Sequence, residues 1–198
     1  VKPQIFNLVS IEMKEKKIRA KYLISIMAGI STLTLKKRIS FSAEIIRAMP
    51  NKSSEIMMGV TCLYSKNNLS NYKRNNINKL FNPLGNYFWI RKETLMDAVT
   101  AISGSGPAYF FLFINALIKI AKGYGFKDNI ARELVIKTAS GALEMTKSKS
   151  NILKLIEEVK SPGGTTEAAL NILEKKGGES FLNILQKAVN AAKDRSVV

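Results

Sequence analysis

The chain has no histidine and a single cysteine in 198 residues. Without histidine, a Ser/His triad, a His-ligated metal and a His general base are all excluded. One cysteine, Cys62, rules out a disulfide or a cysteine-based zinc site within the chain. Its place in an apolar strand pattern reads as an inert core thiol. Acidic residues number 15 against 31 basic ones, and no Asp/Glu cluster has convincing spacing for a cation, so no metal is expected. Long apolar runs are missing too. The longest, Pro107 to Ile114, is far short of the roughly 20 residues that cross a bilayer, and no membrane association is expected. No signal-peptide pattern opens the chain, and the cytoplasm is the expected compartment. Val1-Lys2-Pro3 lacks an initiator methionine and reads as the interior of something longer, so residues upstream are expected.

What is present in excess is positive charge, +16 in total. Such a charge invites a nucleic-acid reading. The lysines are scattered, however, with no block of five or more like charges and no recognised nucleic-acid motif. Frequent Lys and Asn read instead as a compositional bias, and no nucleic-acid partner is expected.

The first ninety residues alternate short apolar strands with polar or helical stretches. Strands are predicted at Tyr22 to Met27, Glu44 to Met49, Met57 to Tyr64 and Tyr87 to Ile90. Ser31 is predicted to cap a short helix through about Arg38, and a helical pattern carries Leu69, Tyr72, Lys73, Ile77, Leu80 and Phe81. Strand, helix, strand is the signature of an α/β layer, here with only half a sheet. From Glu93 onward the pattern is helical. Pro107 opens a helix that is apolar on nearly every face to about Lys122, ended by Gly123 and Gly125. Asp128 is predicted to cap the next helix. Shorter helices follow around Ile152 to Val159 and from Thr165 to Gly177-Gly178, and a last one carries Phe181 to Ala192. An all-round apolar helix must be wrapped by others. Five modest helices do not readily cover it, so a dimer is expected; the alternative is a monomer that folds a flanking segment over it.

Two segments, Thr100 to Phe110 and Ser161 to Thr166, place glycines and small hydroxyl residues ahead of an apolar helical pattern. Glycine lets a ligand approach the backbone, and a helix start leaves N–H groups without partners. Taken singly, each could be a tight connection between packed helices. As a pair, with hydroxyls that no cap obviously requires, they favour a ligand site built from helix N-termini.

These residues carry a resemblance. Ala101-Ile102-Ser103-Gly104-Ser105-Gly106-Pro107-Ala108-Tyr109 and Ser161-Pro162-Gly163-Gly164-Thr165-Thr166 resemble the two signature motifs of pyrroline-5-carboxylate reductase. The closing Ala191-Ala192-Lys193-Asp194-Arg195-Ser196 is also similar. Val1-Lys2-Pro3-Gln4, Ser25-Ile26-Met27-Ala28-Gly29 and Arg47-Ala48-Met49-Pro50-Asn51 resemble that family's cofactor-domain landmarks. The resemblance implies a partial Rossmann-like α/β domain over 1–92 and an all-α substrate-binding and dimerisation domain over 93–198. It also implies reduction of 1-pyrroline-5-carboxylate to L-proline by hydride from NADPH or NADH, in a homodimer or larger homo-oligomer. The implied catalytic residue is Thr166, whose hydroxyl would meet the ring nitrogen. Ser161, Gly163, Gly164 and Thr165, with Val159 and Ser105, would bind substrate, and Val1, Lys2, Pro3, Ala28, Gly29 and Asn51 would line the cofactor.

The chain departs from the family pattern in two places that matter. No G-x-G-x-x-G follows a strand, so these residues alone are expected to hold a dinucleotide poorly. Asn51 is followed by Lys52-Ser53-Ser54 where the family usually has Thr-Pro, and Lys52 is expected to point to water. The competing readings are a related hydroxy-acid dehydrogenase, for which Lys119 and Lys122 are candidates only by default, and a non-catalytic dimerisation remnant.

Overall fold

The structure, a computed structural model, describes residues 1–149, 151–175 and 178–196. It packs as two units, Val1–Pro107 joined by the tail from Val189, and Ala108–Ala188.

The first unit is built on four strands, Tyr22–Ser25 (β1), Glu44–Met49 (β2), Gly59–Tyr64 (β3) and Gly85–Trp89 (β4), in the order β1-β2-β3-β4. β1 and β2 are parallel, β3 runs against β2, and β4 is parallel to β3. Three helices accompany them, Phe6–Glu15 (α1), Thr32–Arg38 (α2) and Asn71–Phe81 (α3). The hydroxyl of Ser31 accepts the Thr34 N–H, as predicted for a cap, and Ser70 does the same for Lys73. β2 is buried from Ile45 to Met49 because apolar clusters cover both faces of the sheet. Phe6, Met27, Ile30, Leu35 and Ile45 lie on one side; Ile46, Ala48, Leu63, Ile77 and Phe81 lie on the other. Cys62 is buried, and that burial pushes its thiol pKa up.

Three of the strands shift from their predicted bounds. β1 stops at Ser25, whose hydroxyl accepts the Met27 N–H. β3 begins two residues late, because Lys52–Ile56 form a 3-10 turn that closes on Met57 at φ 59. β4 begins at Gly85, opposite Gly59, where the two backbones come so close that a Cβ on Gly85 would lie 2.3 Å from the Gly59 carbonyl oxygen. α1 has no counterpart in the sequence reading. Only Phe6 and Ser10 are buried in it, so its apolar periodicity is weak.

Between Glu93 and Gly123 the structure corrects the predicted pair of helices joined by a glycine turn. Leu95–Val99 (α4), a π-helical turn at Thr100–Gly104 and Gly106–Gly123 (α5) form one continuous helix. The Ser105 N–H donates to the Thr100 carbonyl at 2.8 Å, an i to i+5 bond that absorbs the extra residue without breaking the helix. Among the described residues this is the one helix long and apolar enough to cross a membrane. The sequence run reads as shorter only because Gly, Ser, Asn and Lys punctuate it.

The second unit continues α5 and adds Asp128–Ser148 (α6), Ile152–Val159 (α7), Thr165–Leu173 (α8) and the start of Phe181–Ser196 (α9). Asp128 is not the cap of α6. Lys127 holds that position, and Asp128 is the first helical residue, paired with Lys122. Gly177 of the predicted Gly177-Gly178 stop lies outside the described residues. Phe113 of α5 meets Phe181 of α9 with ring centroids 6.3 Å apart, yet Phe110, Phe111 and Leu112 stay 60–70% exposed.

A polar contact anchors the first unit. Arg47 on β2, its side chain only 4% exposed, donates to the Glu93 carboxylate at 3.0 Å. The same carboxylate accepts the Thr32 N–H at 2.7 Å and the Thr32 hydroxyl at 2.8 Å. Burial pushes the Glu93 pKa up, but the Thr32 bonds and Arg47 outweigh it and leave the group below its ordinary 4.5. Glu93→Gln is therefore expected to cost about 3 kcal/mol of stability near neutral pH. Since the folded-state pKa is depressed, the stabilisation is complete above about pH 4.5 and is lost as pH falls through the folded value. Urea unfolding of both proteins should show a gap at about pH 7 that narrows as pH falls below 4.5.

Candidate active site

In the first unit, the predicted cofactor residues gather at one end of the sheet. β1 and β2 run side by side in the same direction, so Ala28-Gly29 and Asn51 follow their carboxyl ends. That is where open α/β sheets bind ligands. Gly29 sits at φ 71, a conformation that favours glycine, and turns the chain toward the Ser31 cap. Val1-Lys2-Pro3 leads into a 3-10 turn closed by Ile5 N–H on the Lys2 carbonyl. Phe6 then packs in the same cluster as Met27 and Ile30, which flank Ala28-Gly29.

Asn51 is held on two sides. Its side-chain oxygen accepts the Val60 N–H at 3.1 Å, which fixes the amide orientation, and its nitrogen faces the Ser103 hydroxyl at 3.5 Å. Gly104 lies beside Met49, with room for ordinary contact. The π-helical turn thus brings Ser103 and Gly104 against the end of β2. It does not supply the helix N-terminus that the sequence implied for this segment. The Ser105 amide is already spent on Thr100, so the segment offers hydroxyls rather than a row of free N–H groups. Lys52 pairs with Glu55 in an exposed ion pair rather than pointing alone into water.

In the second unit, the Ser161 to Thr166 segment forms the helix start that the sequence implied. α7 ends at Val159, which is exposed. The chain reverses through Ser161 to Gly164, with the Gly164 N–H on the Ser161 carbonyl at 2.9 Å and Gly163 at φ 70. Gly164 caps α8, and the amides of Thr165, Thr166 and Glu167 form its unpaired first turn. A Cβ on Gly164 would lie 2.2 Å from the Ser161 hydroxyl oxygen, so glycine is what lets that hydroxyl fold over the loop. Thr166 is half-buried and Thr165 exposed. One participant went unnoticed in the sequence. The Glu167 carboxylate accepts the Gly163 N–H at 2.7 Å, and its place three residues after the cap is the capping-box spacing that signals it. The segment therefore offers amides and hydroxyls, with the Glu167 carboxylate folded back on Gly163, and unpaired amides at a helix start suit an anion.

The two glycine segments fall in different units. Among the described residues no group of three or more His, Cys, Asp or Glu could hold a metal ion.

Comparison with known proteins gives a consistent result. Residues 93–197 match the family described as pyrroline-5-carboxylate reductase dimerisation. The chain is 35% identical over 198 residues to the pyrroline-5-carboxylate reductase of Pasteurella multocida, covering 99% of this chain and 71% of that protein. It is 34% identical to that of Pseudomonas aeruginosa with the same coverage. Among solved structures, Plasmodium falciparum pyrroline carboxylate reductase with NADP bound superposes with a TM-score of 0.90 at 34% identity, covering 100% of this chain and 78% of that one. The Coxiella burnetii enzyme gives 0.84 at 32%, covering 99% and 72%.

Gly164→Ala is expected to force the Ser161 hydroxyl aside, at a cost of about 1 kcal/mol. Amide resonances from Ser161 to Glu167 should shift while those of the sheet stay in place, which heteronuclear NMR of the two proteins would check.

Proposed function

The chain belongs to the pyrroline-5-carboxylate reductase family, and from that premise we propose that it reduces 1-pyrroline-5-carboxylate to L-proline with NADPH or NADH, as a cytoplasmic enzyme of proline biosynthesis. The observation that carries this reading at the residue level is the turn at the start of α8, where only glycine at 164 leaves room for the Ser161 hydroxyl beside the cap. A ring carboxylate is held there by the N–H groups of Thr165 and its neighbours together with Ser161, while Gly163 supplies the φ 70 bend. The Thr166 hydroxyl meets the ring nitrogen, donating to it or accepting from it as its protonation changes. Val159 and Ser105 are assigned to the substrate surroundings by resemblance alone.

The nicotinamide cofactor supplies the hydride when bound. The residues present suit its nicotinamide end: Gly29 offers no side chain to block an approach, and Asn51 has its amide orientation fixed by Val60. Val1, Lys2 and Pro3 complete that end. The protein's task is alignment and charge placement, which amides and hydroxyls perform without histidine. The hydroxy-acid dehydrogenase reading is not favoured, since no lysine sits in either glycine segment and, of its default candidates Lys119 and Lys122, the second is engaged by Asp128. The non-catalytic reading is not favoured either, since similarity to the reductases covers 99% of the chain.

The exposed ridge of α5 is the surface a second copy covers, making the enzyme a homodimer. Asn115, Lys119 and Lys122 on the same helix make it a poor lipid span. Leu112→Lys is expected to turn the dimer into monomer, read by light scattering after size exclusion.

The reaction itself is tested by substrate-dependent loss of NADPH absorbance. Thr166→Ala should lower kcat by about 100-fold and leave cofactor affinity nearly unchanged. Equal loss of both, or of neither, removes Thr166 from the substrate site.

A further inference from the structure

At the opposite end of the sheet from Gly29 and Asn51, a cavity of about 730 Å³ opens where β1 and β2 begin. Its volume is in the range of small-ligand sites. Strands of this length separate the two ends by roughly 13–20 Å; Thr32 and Leu33 at the start of α2 close one wall of the cavity, and the rest of its lining stands away from Gly29 and Asn51.

Its lining is positively charged. Lys21 precedes β1, Lys36 lies on α2 and Lys66 follows β3, and all three line the cavity. None of them has an ionic partner among the described residues. Some other lysines pair with acids, as in Lys16–Glu12, Lys122–Asp128 and Lys187–Glu179, and others stand without an ion pair among the described residues; what distinguishes these three is that they line one recess. The one acid in the lining, Glu44, is already spent. Asn67 donates to it at 2.9 Å and Lys73 pairs with it, which together hold its carboxyl below the usual range. Glu44 cancels Lys73 and leaves a net three positive charges in one concavity, delivered by three separate elements. The hydroxyls of Ser42 and Ser70 lie in the same wall, and Tyr22 and Phe41 supply an apolar side. Like charges lining one recess focus the field there.

We propose that this cavity binds a small molecule carrying two or more linked phosphates, with Lys21, Lys36 and Lys66 on the phosphate oxygens. Linked phosphates supply several charges over a few ångströms, which a single carboxylate does not.

The test is calorimetric titration of the full chain with inorganic tripolyphosphate at near-physiological ionic strength. One saturable site is expected. Lys36→Ala with Lys66→Ala should weaken it by at least about tenfold. Lys14→Ala with Lys17→Ala, which removes the same charge from the end of α1, should leave it nearly unchanged. All four side chains are exposed, so folding is retained and circular dichroism confirms it for each variant. Absence of saturable binding, or equal weakening in both double variants, would overturn the proposal. So would loss of tripolyphosphate binding in Asn51→Ala, which would move the ligand to the cofactor end.

Discussion

The buried contact of Arg47 with Glu93 is the constraint on which the first unit depends. A guanidinium taken out of water on a central strand is tolerated only with an acid beside it, and Glu93 brings that acid from outside the sheet, at the threshold of the long helix. The same carboxylate caps the positive end of α2 through Thr32. One side chain thereby ties strand, helix and the start of Leu95–Gly123 together. The meeting of Asn51 with Ser103 and of Met49 with Gly104 follows from where that tether makes the long helix begin.

Much of the α/β unit was legible because its signals are local. Ser31 acts within three residues, and β2 matches its apolar run from Glu44 to Met49 without a shift. What the sequence hid was set at a distance or lay outside simple periods. Glu93 reads as an ordinary first residue of a helical stretch, since its partners lie 46 and 61 positions away. Ser103-Gly104-Ser105-Gly106-Pro107 reads as a turn because glycine and proline punctuate chains, and no local rule announces an i to i+5 bond. α1 went unseen because two buried residues make no stripe.

The candidate site was legible in a different way. The glycines at 163 and 164 announce a bend, and physics explains each: one takes a positive φ and the other admits the Ser161 hydroxyl. The role of Thr166 has no such signature. It came from the resemblance, because a threonine in the first turn of a helix looks the same whether it binds a ring nitrogen or water. Glu167 was the converse case, with a recognisable spacing that drew no attention beside the glycines.

The Ser161 to Thr166 turn is made mostly of main chain, and this bears on how the enzyme withstands genetic drift. A backbone amide survives every substitution except proline, so selection there acts on bend geometry rather than on a roster of side chains. A lineage pushed toward lysine and asparagine can exchange most of its surface and keep the proposed site, provided two glycines and two hydroxyls stay in place. The fragile inheritance is a pair of torsion angles.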